Sequence, residues 1–297
     1  MRALYDVAAP AKLNLFLHVV GRRQDGYHLI ESVFALIDWA DTLHFECRAD
    51  GVLRRHDLTE ALPADDLCLR AARALQQQSG CPLGADISIT KRIPSGAGLG
   101  GGSSDAASVL LALNRLWGLH WPRARLLDLA TGIGADVPFF VFGHHALARG
   151  IGERLQACDL APTTFAVLKP AASIATAALF RSPLLKRDTT SLILSGFPGG
   201  TEAAVPAADA ARLTDGFGVN DLQAAAEGSC AEVAQALRLM GQTFGNSRMT
   251  GSGSAVFSRV GTGVCPEATW PSGAVPPGWV GRLCQSLPEH PLRSWAG

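Results

Sequence analysis

Residues 11–20, AKLNLFLHVV, alternate, with Leu13, Leu15, Leu17 and Val19 on one side and Lys12, Asn14, Phe16 and His18 on the other. A period of two predicts a strand and points Lys12 and Asn14 the same way. A polar turn, GRRQDGYH at 21–28, follows, and Ile30 to Ile37 and Thr42 to Glu46 read as further strands. Over Asp65 to Gln78 the spacing becomes helical, with Leu67, Ala71, Ala74 and Leu75 as the apolar stripe. Alternation returns over Asp86 to Lys91, and an apolar helix is expected over 105–117. Pro122 suits the first turn of another helix, which Gly132 ends. Asp136, two residues before Pro138 in GADVPFFVFG, marks a turn or a helix start.

A second set of elements opens with a strand over Phe165 to Lys169, so the chain divides near residue 155 into domains over 1–155 and 156–297. Helices are expected near 174–181 and 221–241, and strands before Thr250 and over Ala255 to Val260. Residues 196–218 and 261–281 are rich in Gly, Pro and Ala and read as loops.

Chemistry first shows in the turn PSGAGLGGGSS at 94–104. Gly96, Gly98, Gly100, Gly101 and Gly102 expose backbone amides just before a helix N-terminus, where the helix dipole also favours an anion. Ser103 and Ser104 add hydroxyls for a phosphate or for a metal that it holds. Gly96, Gly98 and Gly101 also satisfy G-x-G-x-x-G, but no second strand ending in an acid follows, and no Lys follows the glycines as a Walker loop requires. The turn is a phosphate cradle or a tight strand-to-helix connection.

The other candidates are likewise open. Asp136 either caps a helix or, with Lys12 beside it, acts as a carboxylate whose charge the ammonium supports. Lys12 and Asn14 are otherwise an exposed strand lysine and a polar edge residue. TGSGS at 250–254 is a structural turn or a second part of a site. Tyr27 and His28 pack locally or offer a platform for a planar ring.

Lys plus Arg and Asp plus Glu each number 26, so the formal net charge is zero. That balance carries no footprint for nucleic acid or an anionic membrane. The longest apolar runs, Val33 to Ile37 and Val109 to Leu113, fall far short of the roughly 18 residues of a transmembrane helix. With Asp6 and Lys12 near its start, the chain shows no signal-peptide pattern, and a cytoplasmic location is expected. The seven cysteines lack metal-ligand spacing and read as reduced, mostly buried thiols, and no metal-ligating set is expected.

PAKLNL at 10–15, PSGAGLGGGSSDAA at 94–107 and TGSGSAVF at 250–257 resemble, in order and spacing, the three motifs of the GHMP kinases. The longer blocks PAKLNLFLHVVGRRQDGYHLIES, KRIPSGAGLGGGSSDAASVLLALN, GADVPFFVFG and NDLQAAA are similar to the members that phosphorylate 4-diphosphocytidyl-2-C-methyl-D-erythritol in non-mevalonate isoprenoid biosynthesis. The resemblance implies a two-domain α+β fold, with an N-terminal β-α-β domain, a C-terminal ferredoxin-like α/β sandwich and the active site in the cleft between them. It implies ATP with Mg²⁺ as phosphoryl donor, the 2-hydroxyl as acceptor, and small-molecule partners in place of nucleic acid or membrane.

By the same resemblance Asp136 is the catalytic carboxylate and Lys12 its partner. Pro94, Gly96, Gly98, Gly100, Gly101, Gly102, Ser103 and Ser104 would cradle ATP. Asn14 would hold the methylerythritol end, Tyr27 and Phe180 would sandwich the cytosine, and His28 would bond its edge. Thr176 would touch substrate, and Thr250, Gly251 and Gly253 would close the site from the second domain. The sequence departs from the family pattern at Asp66, where Asn is expected near the adenine, at Ala177, where Pro is expected, and after Val260, where a helix is expected. A mevalonate or homoserine type of GHMP kinase would keep the glycine turn and lack GRRQDGYH. A non-enzymatic nucleotide- or RNA-binding module could share the β-α-β unit, and the zero net charge and Asp136 count against it.

Overall fold

Two long strands, β1 (Ala3–Arg22) and β2 (His28–Arg48), pair antiparallel, with Lys12 opposite Leu36 and Asn14 opposite Phe34. The computed structural model of the chain describes residues 2–192, 205, 209–210, 216–261, 270 and 273–297. Around the hairpin, β3 (Leu53–Asp57), β4 (Gly84–Thr90), β5 (Ala146–Gly150) and β6 (Arg154–Ala157) complete a six-stranded sheet of order β3-β4-β2-β5-β6, with β1 on the other edge of β2. Helices α1 (Leu67–Ser79), α2 (Gly101–Leu116), α3 (Arg123–Thr131) and α4 (Val137–Phe142) pack on one face, around Phe45, Leu75, Leu110 and Phe139.

A second, antiparallel sheet follows, of order β10-β7-β9-β8, from β7 (Thr164–Lys169), β8 (Arg248–Met249), β9 (Val256–Arg259) and β10 (Val280–Gln285). Its strand β7 alternates as the pleat requires. Phe165 and Val167 meet Leu13, Leu15 and Ala35 of the first sheet, whereas Ala166 and Leu168 meet Val233, Ala236 and Met240. Those last residues belong to α7 (Ala231–Phe244), which lies beside α6 (Gln223–Ser229); the short α5 (Thr176–Arg181) follows β7.

Because both faces of β1 are covered, its alternation separates two buried environments. Of the alternatives open for Lys12 and Asn14, the exposed strand lysine and the edge residue fall away: they are 3% and 1% exposed, on the face that also carries Phe34 and Leu36. The strands expected at 30–37 and 42–46 are one strand. The polar residues between them, which suggested a break, have fixed partners: Asp38 accepts from the Gln285 amide, and Asp41 accepts from the Arg92 and Ile93 amides.

Two further boundaries move. Helix α2 starts at Gly101, not 105, because Gly100 at φ +72° turns the chain into the helix and makes Gly101 to Ser104 its first turn. Residues 280–281, expected in a loop, begin β10, which pairs Val280 with Lys169 and Gly281 with Leu168. Most of the loop expected over 196–218, most of 261–272 and Cys265 lie outside the described residues. The other six cysteines are free thiols.

Candidate active site

The glycine turn enters α2 through three left-handed glycines, Gly96, Gly98 and Gly100, at φ +63°, +74° and +72°. A Cβ at Gly98 would stand 2.3 Å from the Thr250 carbonyl oxygen, and one at Gly100 would stand 3.0 Å from Phe140 and 3.2 Å from Lys12 Cε. Glycine is required here by backbone conformation and by the close approach of two turns. The first turn meets TGSGS of the second sheet directly: the amides of Ser254 and Ala255 donate to the carbonyls of Gly96 and Ala97 at 3.2 and 3.1 Å.

Above this contact is a cleft of about 310 Å³, lined by Pro94, Gly96 to Ser103, Lys91, Thr176, Ser252 and Gly253 among others. The unpaired amides at the start of α2 face a phosphate-sized space. Ser103 lines it. Ser104, expected beside it as a phosphate contact, does not: it is fully buried, and its hydroxyl donates to the Pro10 carbonyl at 2.6 Å. It fastens α2 to β1.

Lys12 extends from β1 beneath this turn, its own amide donating to the Leu99 carbonyl at 3.0 Å. Its Nζ lies 2.5 Å from Asn14 Oδ1, 3.3 Å from Asp136 Oδ2 and 4.8 Å from the centre of the Phe34 ring. Asp136 precedes α4, yet its side chain makes no capping bond. The carboxylate is thus held by Lys12 and remains 31% exposed. Asn14 is taken up by protein partners: its Nδ2 donates to Ser32 Oγ at 2.9 Å and its backbone amide to Thr250 Oγ1 at 2.9 Å. It orients Lys12 and keeps one Nδ2 hydrogen beyond these bonds, while the fully buried Thr250 supports it from the second glycine turn. Gly251 packs against Gly98 and Asn14, and Gly253 reaches the cleft.

A second cleft, of about 730 Å³, is lined by Arg22, Tyr27, His28, Ala135, Ile151, Thr176, Ala177, Phe180 and Arg181 among others. Thr176 lines both clefts, and Ala135 brings the second to the residue before Asp136. Tyr27 is 63% exposed on the β1–β2 turn. The His28 ring lies against Phe180, with centres 4.8 Å apart and planes 24° apart, so these two rings stack here. Burial, and then the charges of Arg187 and Arg22, push the His28 pKa down and favour the neutral ring.

Some residues inside the motifs take parts that the sequence did not assign them. Ser252 bonds Thr176 at 2.7 Å between their hydroxyls, tying the second glycine turn to α5. Asn220 donates to the carbonyls of Met249 and Gly251 at 2.7 and 2.8 Å and holds that turn. The block NDLQAAA was conspicuous, but only the fold shows this use. Asp66 caps α1, accepting from the Cys68 and Leu69 amides, and pairs with Arg55 at 2.5 Å. The acid has a local cause, a cation in reach.

A comparison with known families matches residues 66–144 to the GHMP kinases N terminal domain. A 4-diphosphocytidyl-2-C-methyl-D-erythritol kinase of Methylibium petroleiphilum is 62% identical over 100% of this chain and 99% of its own length. A crystal structure of a 4-(cytidine 5'-diphospho)-2C-methyl-D-erythritol kinase superposes with a TM-score of 0.70 at 36% identity, covering 86% of this chain and 90% of that one. The homoserine kinase of Cytophaga hutchinsonii, 18% identical with a TM-score of 0.66 over 98% of this chain and 96% of its own, shares the fold. The chain therefore belongs to the 4-diphosphocytidyl-2-C-methyl-D-erythritol kinases, a branch of the two-domain GHMP kinases.

Proposed function

We propose that this chain transfers the γ-phosphoryl group of ATP to the 2-hydroxyl of 4-diphosphocytidyl-2-C-methyl-D-erythritol, giving ADP and the 2-phosphate. The observation that carries the reading is the Lys12–Asp136 pair at the meeting of two clefts, one built from glycine amides and one lined by aromatic rings. Asp136 takes the proton of the 2-hydroxyl as its oxygen bonds to the γ-phosphorus and the bond to the ADP oxygen breaks. Lys12 holds Asp136 in place and stabilises the negative charge spread over the transferring oxygens. The amides of Gly101 to Ser103 and the Gly96–Gly100 turn hold the phosphates of ATP.

The cradle fits a metal-bound nucleotide as follows. Among the described residues no group of three or more His, Cys, Asp or Glu is placed to hold a metal. The Ser103 hydroxyl, in the glycine cleft, is the protein group that fits as a ligand alongside phosphate oxygens. When bound, Mg²⁺ neutralises charge on the donor phosphates.

Tyr27, Phe180 and His28 take the cytosine, and Thr176 stands between acceptor and donor. The stacking of His28 on Phe180 leaves the base the other face of Phe180. The division into a phosphate-binding domain over 1–155 and a second domain over 156–297 belongs to the same proposal, supported by the change of sheet between Ala157 and Thr164. ADP release from ATP and Mg²⁺ with the cytidine substrate, set against mevalonate and homoserine, tests the reading. Turnover with either of the latter and none with the cytidine compound would overturn it.

A further inference from the structure

Arg187 has no assigned part in the chemistry, yet it touches two residues that line the second cleft, His28 and Phe180. It lies in KRDTT, beyond α5 in the chain, and its guanidinium is fixed from three directions. Nη1 donates to the Leu185 carbonyl at 3.2 Å, and Nη2 donates to those of Phe180 and Ser182 at 2.9 and 3.0 Å. Nε then donates to His28 Nε2 at 3.3 Å.

A guanidinium only donates, so the His28 nitrogen that meets it must carry a lone pair. The proton of the neutral ring therefore sits on Nδ1. The structure gives Nδ1 no bond to any described residue. Stacking on Phe180 fixes the plane of the ring, and Arg187 fixes which of its nitrogens donates.

We propose that Arg187 is a positioning residue that locks His28 in the Nδ1–H tautomer and thereby makes the second cleft prefer cytosine over uracil. This rests on the reading of that cleft as the cytidine site. Cytosine offers ring N3 and O2 as acceptors to an N–H donor, whereas uracil carries a hydrogen on N3. A free histidine can answer either base by moving its proton to the other nitrogen. With Arg187 against Nε2, that move would set two donors face to face in a half-buried contact and leave neither with an acceptor there.

The test has two readouts. Nitrogen NMR of the ring in the unliganded wild-type protein should show the Nδ1–H tautomer, and in Arg187→Ala a shift toward a mixture with Nε2–H. The ratio of kcat/KM for the cytidine substrate over its uridine analogue should fall about tenfold or more in Arg187→Ala, the scale of a lost polar discrimination. In a His28→Ala background, adding Arg187→Ala should leave that ratio unchanged; a residue that only holds the loop would lower it or slow both substrates equally in both backgrounds. An Nε2–H ring in the wild type overturns the lock even if Arg187→Ala does not fold. An unchanged ratio in a folded Arg187→Ala protein overturns the specificity role. Absence of transfer to either nucleotide by the wild type overturns the functional reading instead, because the tautomer is measured without substrate.

Discussion

Lys12→Met is the substitution whose consequences the structure defines most fully. Methionine fills much of the volume under the glycine turn but removes the ammonium that lies 3.3 Å from Asp136 and 2.5 Å from Asn14 Oδ1. At an effective dielectric constant of roughly 20, two unit charges at that separation attract by about 5 kcal/mol. Solvent at the 31% exposed Asp136 and the desolvation of Lys12 offset a large part of this in the resting protein. Asn14 Oδ1 loses its donor while buried, which costs about 1–3 kcal/mol of stability. Catalysis should lose more, because the transferring phosphoryl group places its charge where the ammonium was. Removal of one preorganised electrostatic contact of this kind lowers kcat by about 10²–10³-fold. The assay is steady-state ADP release at saturating ATP, with thermal unfolding of the same preparation in parallel. A variant that melts a few degrees lower and turns over at least about a hundredfold more slowly supports the role. A folded variant within about threefold of the wild-type kcat would refute it, since a group aimed at the developing charge cannot be removed so cheaply.

Asp136→Asn keeps the size of the side chain and should lower kcat by about 10²–10⁴-fold with ATP affinity by calorimetry nearly intact. Gly98→Ala forces a Cβ to 2.3 Å from the Thr250 carbonyl oxygen at φ +74°, so ATP affinity should fall at least about tenfold and the melting temperature should drop. Stability should peak near pH 6.5 when melting is followed across pH. On the alkaline side Asp105, buried beside Lys91 and Asp41, has its carboxyl pushed up to about 8, chiefly by burial, so the stability it supplies while protonated is lost as pH rises through that value. Asp105→Asn should flatten that limb. On the acid side burial pushes His145 down to about 4 and His290 to about 3, so the unfolded chain takes up protons first and stability falls as pH drops below about 6.5.

What the sequence revealed, and what it hid, divides along a physical line. Local conformation was legible. The alternation over 11–15, the stripe of α1 and the glycines before α2 each express a period or a φ requirement carried by neighbouring residues, whereas the irregularity between Asn14 and Leu17, which turns Phe16 to the side of Leu13 and Leu15, does not. Burial on two faces was not, because β1 reads the same whether its polar positions meet water or a second layer. The exposed or edge alternative for Lys12 and Asn14 stayed open for that reason, and the hairpin's length was masked by Asp38 and Asp41, whose partners lie far along the chain. Ser104 shows the opposite error. Motif position suggested a ligand contact, and only the packing of α2 on β1 gives its hydroxyl to Pro10.

The three separated motifs become one site through bonds that no local pattern announces. Lys12 takes its place from the Leu99 carbonyl, Asn14 from Thr250 Oγ1, and the second glycine turn from Gly96, Ala97 and Asn220. Each of these ties joins the hairpin, the glycine turn and the second sheet pairwise, so none of the three can shift without moving the other two. Asp221 adds the same restraint further along β1, accepting from the Val19 amide at 2.7 Å and from Thr189 Oγ1 at 2.7 Å. A phosphoryl-transfer site that works by position and charge gains from such cross-bracing, because a shift of about 1 Å between base, cation and phosphate cradle can slow the reaction about a hundredfold. The glycines at the crossing then have two duties with one cause. They let the two turns come within van der Waals contact, and the same lack of a side chain leaves the amides of the first turn open to a phosphate.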